Sequence, residues 1–106
     1  MRTRKKLTDS LDLLVEALCL DYSRRARHIG ANSVSKRTET EYKYLNFKIF
    51  DAAVSVCGER DALTYIEEIG NRVGYAKSKT LHSEVTYKKY KAMIKHNIAL
   101  MLHLKD

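Results

Sequence analysis

An all-α fold, a compact bundle of four to five helices, is what this sequence predicts, and three observations predict it. The 106 residues contain no proline and only four glycines, at positions 30, 58, 70 and 74, so little interrupts helix outside a few punctuating sites. Those glycines fall between segments whose apolar residues recur every three or four positions, the period of one helical face. The composition, 44% hydrophobic and 31% charged, is that of a globular chain too apolar for intrinsic disorder. At this length one domain, residues 1–106, can bury a core without a metal or a disulfide framework.

The first helix is predicted over residues 8–29, where Leu7, Leu11, Leu14, Val15, Leu18, Tyr22, Ala26 and Ile29 lie on one stripe. Thr8 or Ser10 can cap its start, and Asp9 and Asp12 favour the positive end of its dipole. Arg24, Arg25, Arg27 and His28 suit the negative end, so they read as dipole partners on a solvated face or as auxiliary phosphate contacts. Gly30 to Ser35 supply a polar turn. Thr38 and Glu41 then have the spacing of a capping box, and a second helix is predicted over 36–57. Its main stripe is Tyr42, Leu45, Ile49, Ala52, Ala53 and Val56. Tyr44, Phe47, Phe50, Val54 and Cys57 form a second apolar surface. A helix apolar around so much of its circumference is central, which assigns Phe47, Phe50 and Val54 to core packing or to the face of a homodimer.

A third helix, 59–69, would turn Ala62, Leu63, Ile66 and Ile69 inward and Glu67 and Glu68 outward, closed by Gly70 in a left-handed conformation. Residues 75–81 carry a short basic segment with room for one or two helical turns. The last helix, 83–104, begins at Ser83 with Glu84 beside it, and buries Tyr87, Tyr90, Ile94, Ile98, Met101 and Leu102. Lys88, Lys91 and Lys95, with Lys89 and His96 beside them, form a ridge along that stripe.

Charge concentrates the functional expectation in the last third. From Gly70 onward there are eight basic residues (Arg72, Lys77, Lys79, Lys88, Lys89, Lys91, Lys95, Lys105) and two acids (Glu84, Asp106), 8 − 2 = +6, whereas the first sixty-nine residues hold twelve and eleven, 12 − 11 = +1. So localised an excess points to a polyanionic partner.

Catalysis is not expected. No glycine-rich phosphate loop, nucleophile elbow or His-Glu metal motif is present. Glu67 and Glu68 are adjacent and diverge on a helix. His28, His82, His96 and His103 are scattered, and His96 with His103 lacks a third ligand at useful spacing. No metal or cofactor is therefore expected. Cys19 and Cys57 sit within apolar stretches and read as free buried thiols. The basic start MRTRKK is followed by Asp9, Asp12 and Glu16, which interrupt any signal or membrane segment, so a cytoplasmic protein without membrane contact is the expectation.

The run EEIGNRVGYAKSK resembles the helix-turn-helix of bacterial sigma-factor region four, where an Ile-Gly pair is followed by a second glycine and a basic recognition segment. Ser83, Tyr87, Lys91, Ile98, Ala99, Leu102 and Leu104 resemble the end of small phage-borne and Firmicute regulators of the late-gene activator type. Together the likeness spans about residues 65–104. Where the family turns an apolar residue inward, this chain has Thr80, with Leu81 one place later. The resemblance implies a phage or mobile-element transcription regulator that binds duplex DNA. Tyr75, Lys77, Ser78, Lys79 and His82 would face the major groove, and Arg72, Lys88, Lys91 and Lys95 the phosphates. Five or so phosphate contacts imply a log-log salt slope on the order of −4 to −5. Three alternatives stay open, the plainest being a helical bundle whose positive charge only keeps it soluble. Ser83 can instead cap a separate long helix in a four-helix bundle, with 74–82 a linker. The basic face can instead meet an acidic protein surface or the rim of a ribonucleoprotein, as in a helical adaptor or inhibitor.

Overall fold

The computed structural model describes residues 7–105, and the first helix among them begins where Thr8 accepts from the Leu11 amide at 3.3 Å. Helix α1 runs Asp9–Leu20 and α2 runs Tyr22–His28, so the one long helix expected here is divided at Asp21. The cause is Arg25. Only 3% exposed, it donates from Nη2 to the Leu18 carbonyl at 2.6 Å, the acceptor that an unbroken ladder would offer to Tyr22. A side chain inserted in the ladder kinks a helix. Arg25 Nε also donates to Asn46 Oδ1 at 2.7 Å, and Asn46 Nδ2 to the Tyr22 carbonyl at 3.2 Å. Arg25 thus lies in the interior, neither a solvated dipole partner nor a phosphate contact. Arg24 clasps the Asp21 carboxylate at 2.5 and 2.6 Å.

Ser35, not Thr38, caps α3, accepting from the Thr38 amide at 3.2 Å. Glu39 reaches back to the Gly30 amide. Helix α3 spans Lys36–Cys57 and packs against α2, α4 and α5, where α4 is Glu59–Gly70 and α5 is Glu84–Met101. The expectation of a central second helix holds. Its buried residues are Ile49, Ala52, Ala53 and the polar Asn46. Phe50 and Val54 are half-buried against the core, whereas Phe47 is 64% exposed and is not a core residue.

In α4 the inward set is Ala62, Tyr65, Ile66, Glu68, Ile69 and Gly70. Leu63, expected inside, is 55% exposed, and Glu68, expected outside, is 4% exposed. Gly70 does not serve as a left-handed terminator. A Cβ there would lie 2.5 Å from the Leu20 nitrogen, so its lack of a side chain lets the ends of α1 and α4 touch. The left-handed residue is Arg72, with φ of 57°, followed by a Val73 amide that returns to the Glu68 carbonyl at 2.9 Å, a six-to-one closure of the helix end.

Ser83 caps α5 as expected, accepting from the Thr86 amide at 3.3 Å. Tyr87, Ile94, Ile98 and Ala99 bury against Val15, Cys19, Ile49, Ala53, Ile66 and Ile69 in one core. Cys19 and Cys57 are free thiols, pushed up by burial to about 12 and about 11. The basic start, residues 1–6, and Asp106 lie outside the described residues. No helix among those described is long and apolar enough to cross a membrane.

Candidate nucleic-acid interface

Between α4 and α5 the chain does not form a second helix. Residues 75–81, which have the composition of a short helix, make one 3-10 turn at Tyr75–Lys77 and then continue through an extended Ser78 without regular structure, bending at Thr80. The physical reason is a set of hydrogen bonds that recruits this backbone outward from its own ladder. Glu68 Oε1 accepts from the Tyr87 hydroxyl and from the Ser78 hydroxyl, each at 2.8 Å, and Oε2 accepts from the Lys79 amide at 2.8 Å. Three donors satisfy a carboxylate that burial would otherwise destabilise. Ser78 Oγ in turn accepts from the Thr80 amide at 3.1 Å.

Two further contacts fasten the loop. The Val73 carbonyl accepts from Lys91 Nζ at 2.7 Å and lies 3.1 Å from the Tyr87 hydroxyl. The Tyr65 hydroxyl sits 2.7 Å from His82 Nδ1, and His82 Nε2 is 3.7 Å from Asp61. Burial first, and then the Glu68 hydrogen bond, push the Tyr87 phenol up to about 12. Burial likewise raises Tyr65 to about 12. Lys91 is held below the ordinary lysine range, chiefly by burial and then by Lys95.

These contacts sort the nine residues expected at a nucleic-acid surface into two groups. Ser78, His82 and Lys91 face inward in the network just described. Lys95 lies 3.0 Å from Asp12 and 3.5 Å from Glu16, and Arg72 lies 3.3 Å from Glu16, so α1 neutralises that flank. The outward group is Tyr75, Lys77, Lys79 and Lys88. Lys89, a neighbour of the expected ridge, is also exposed. The Tyr75 ring stands 5.8 Å from that of Tyr87, which lays the start of the loop beside the first turns of α5, the turns that carry Lys88 and Lys89. Among the described residues no carboxylate pairs with Lys77, Lys79 or Lys89, while Lys88 meets Glu84 at 2.8 Å.

Sequence reasoning missed Glu68, yet a signal existed. Glu68 lies three residues after Tyr65, a spacing that places the two on the same face of the helix. It also missed Leu81, which is 94% exposed, with Val85 at 77%. Thr80 turns inward where the helix-turn-helix pattern has an apolar residue, and Leu81 turns out. Among the described residues no three His, Cys, Asp or Glu side chains gather as metal ligands. Compared with known proteins, the chain matches no family model, no curated sequence and no solved structure.

Proposed function

We propose that the protein binds nucleic acid, duplex DNA foremost, through the α4–α5 loop and the outer face of the first turns of α5. The observation that carries this reading is the division of cations in the last third. Arg72 and Lys95 are met by carboxylates and Lys91 by a carbonyl, while Lys77, Lys79 and Lys89 point to solvent without an acidic partner beside Lys88. Side chains left unpaired at one end of a fold raise the local potential and attract polyanions. Phosphate contacts of this kind supply affinity and register but no sequence information. Without an α-helix at 75–81, the loop would reach the duplex as an irregular segment braced by Glu68. Regulation of transcription is the role that the sequence resemblance implies for such binding. Phe47, exposed on α3 next to Tyr44 at 48%, is the face through which a second copy would pack.

The test is a titration of random-sequence duplex DNA at several salt concentrations. The three outward lysines without an acidic partner, Lys77, Lys79 and Lys89, at about 0.9 each predict a log-log slope of about −3, shallower than the sequence alone implies. Changing Lys77 and Lys79 to alanine should reduce that slope by about 2, and changing Arg72 should barely move it. A salt-independent affinity, or no shift at low salt, removes the reading in favour of a protein partner. Sedimentation of the free protein at tens of micromolar as a strict monomer would remove the dimer.

A further inference from the structure

Leu81 is at odds with its surroundings in a way that the phosphate-binding reading does not absorb. At 94% exposure it is the most exposed large apolar side chain among the described residues, yet it does not sit in slack chain. Its neighbours on both sides are tied down: the Lys79 amide to Glu68 at 2.8 Å, the Thr80 amide to Ser78 at 3.1 Å, and His82 to Tyr65 at 2.7 Å. Ser83, one residue further, caps α5. Scattered exposed leucines are ordinary, but a leucine held at the tip of a cross-braced loop is presented at little further ordering cost on contact.

What surrounds it identifies the occupant. Lys77 and Lys79 precede Leu81 in the loop, and Lys88 and Lys89 follow it on α5, on the turn after Val85. The acid in this neighbourhood, Glu84, is paired with Lys88 at 2.8 Å, and Asp61 is turned to His82 at 3.7 Å. An exposed apolar point with exposed lysines before and after it along the chain complements a duplex, whose phosphates flank a stacked, apolar interior. Between Tyr75 and Lys89 the chain has no Arg, Asn or Gln, the side chains best suited to bidentate readout of base edges in the major groove. An aliphatic side chain also makes a poor stacking platform for single strands, whereas leucine is one of the side chains that wedge between base steps from the minor groove.

We infer that Leu81 is a DNA-bending wedge. Resting on the duplex binding proposed above, its side chain enters a base step from the minor groove, Val85 packs behind it, and the four lysines hold the phosphates on either side of the opened step. Flexible pyrimidine–purine steps are the preferred point of entry, because they unstack most readily. The protein is then an architectural binder, selecting deformable sites without a code of base contacts.

Fluorescence energy transfer between the two ends of a short duplex carrying one central TA step tests this. Saturating wild-type protein should shorten the end-to-end distance, corresponding to a bend of about 20–90°. L81A should bind with the same salt slope and with affinity within about tenfold, but leave the duplex straight. L81F, which restores a wedge, should bend it again. A duplex whose central step is stiff should bind more weakly to wild type and equally to L81A. If wild type binds without bending, or L81A bends as well as wild type, the wedge is overturned while the binding reading stands. If wild type does not bind the duplex at low salt, both are overturned.

Discussion

Among the described residues two charged side chains are buried, Arg25 and Glu68, and they do opposite things to the backbone around them. Arg25, at the junction of α1 and α2, takes a helix carbonyl for itself and divides a helix that periodicity runs straight through. Glu68, in the last turn of α4, leaves its own helix whole and captures a distant segment, Ser78, Lys79 and Tyr87, from beyond the helix end. The difference follows from donor and acceptor inventory. A guanidinium can only donate, and beyond the Asn46 amide oxygen Arg25 takes a ladder carbonyl as acceptor; a carboxylate can only accept, and Glu68 finds free hydroxyls and an amide where the chain beyond its helix is not helical. Here the buried cation divides a helix and the buried anion organises a loop.

The largest effect should come from removing the anion. E68A leaves the Tyr87 and Ser78 hydroxyls and the Lys79 amide without their acceptor, and should destabilise the fold by about 3 kcal/mol, a fall in melting temperature on the order of 15 °C for a domain of this size. The Lys79 amide should lose its protection from hydrogen exchange. Because the loop loses its bracing, duplex affinity should fall about tenfold with the salt slope unchanged. E68Q, which keeps one acceptor oxygen, should fall between the two proteins. Equal melting temperatures for E68A and wild type would deny that Glu68 holds the loop.

Removing the cation should have a smaller effect and a different location. R25A frees the Leu18 carbonyl to accept from Tyr22, so part of the loss is recovered as regular helix, and the net destabilisation should be about 2 kcal/mol. Its circular dichroism should show equal or greater helicity than wild type. Duplex binding should be unaffected, since Arg25 lies among α1, α2 and α3. If R25A weakens binding as much as E68A does, the two regions are not independent.

The smallest effect is on acid stability, and it belongs to the Arg25 region. Hydrogen bonds from Arg24 hold the Asp21 carboxyl below the usual aspartate range. Its pKa is depressed on folding, so its contribution is present above the unfolded value of about 3.9 and is lost as pH falls through the folded one. The Asp21 side chain is 40% exposed, so solvent screens the pair and the effect is well under 1 kcal/mol. The wild-type melting temperature should fall slightly more than that of D21N between pH 5 and pH 2, measured by calorimetry.

Much of the fold can be read in the sequence, and the unread parts share a cause. The helix over 36–57, the cap at Ser83 and the buried Tyr87, Ile94 and Ile98 follow from periodicity and capping chemistry, which are local. The site was half legible. Lys77, Lys79 and Lys88 are outward as their sequence neighbourhood suggests, but Arg72, Lys91 and Lys95 find partners in α1 or in the loop carbonyl of Val73, up to 83 residues distant in sequence for Lys95 and Asp12 (95 − 12 = 83). No window along the chain reveals such a pairing.

Propensity, period and composition act between near neighbours, and they are enough to make the protein helical, to place the start of most of its helices and to gather its positive charge in the last third. Packing between distant segments sets which of those charges lack an acidic neighbour, that Gly70 serves contact with Leu20 and not a left-handed turn, and that Leu81 projects from a loop braced by Glu68. Those outcomes depend on which buried donors and acceptors meet, and that is settled when distant helices pack.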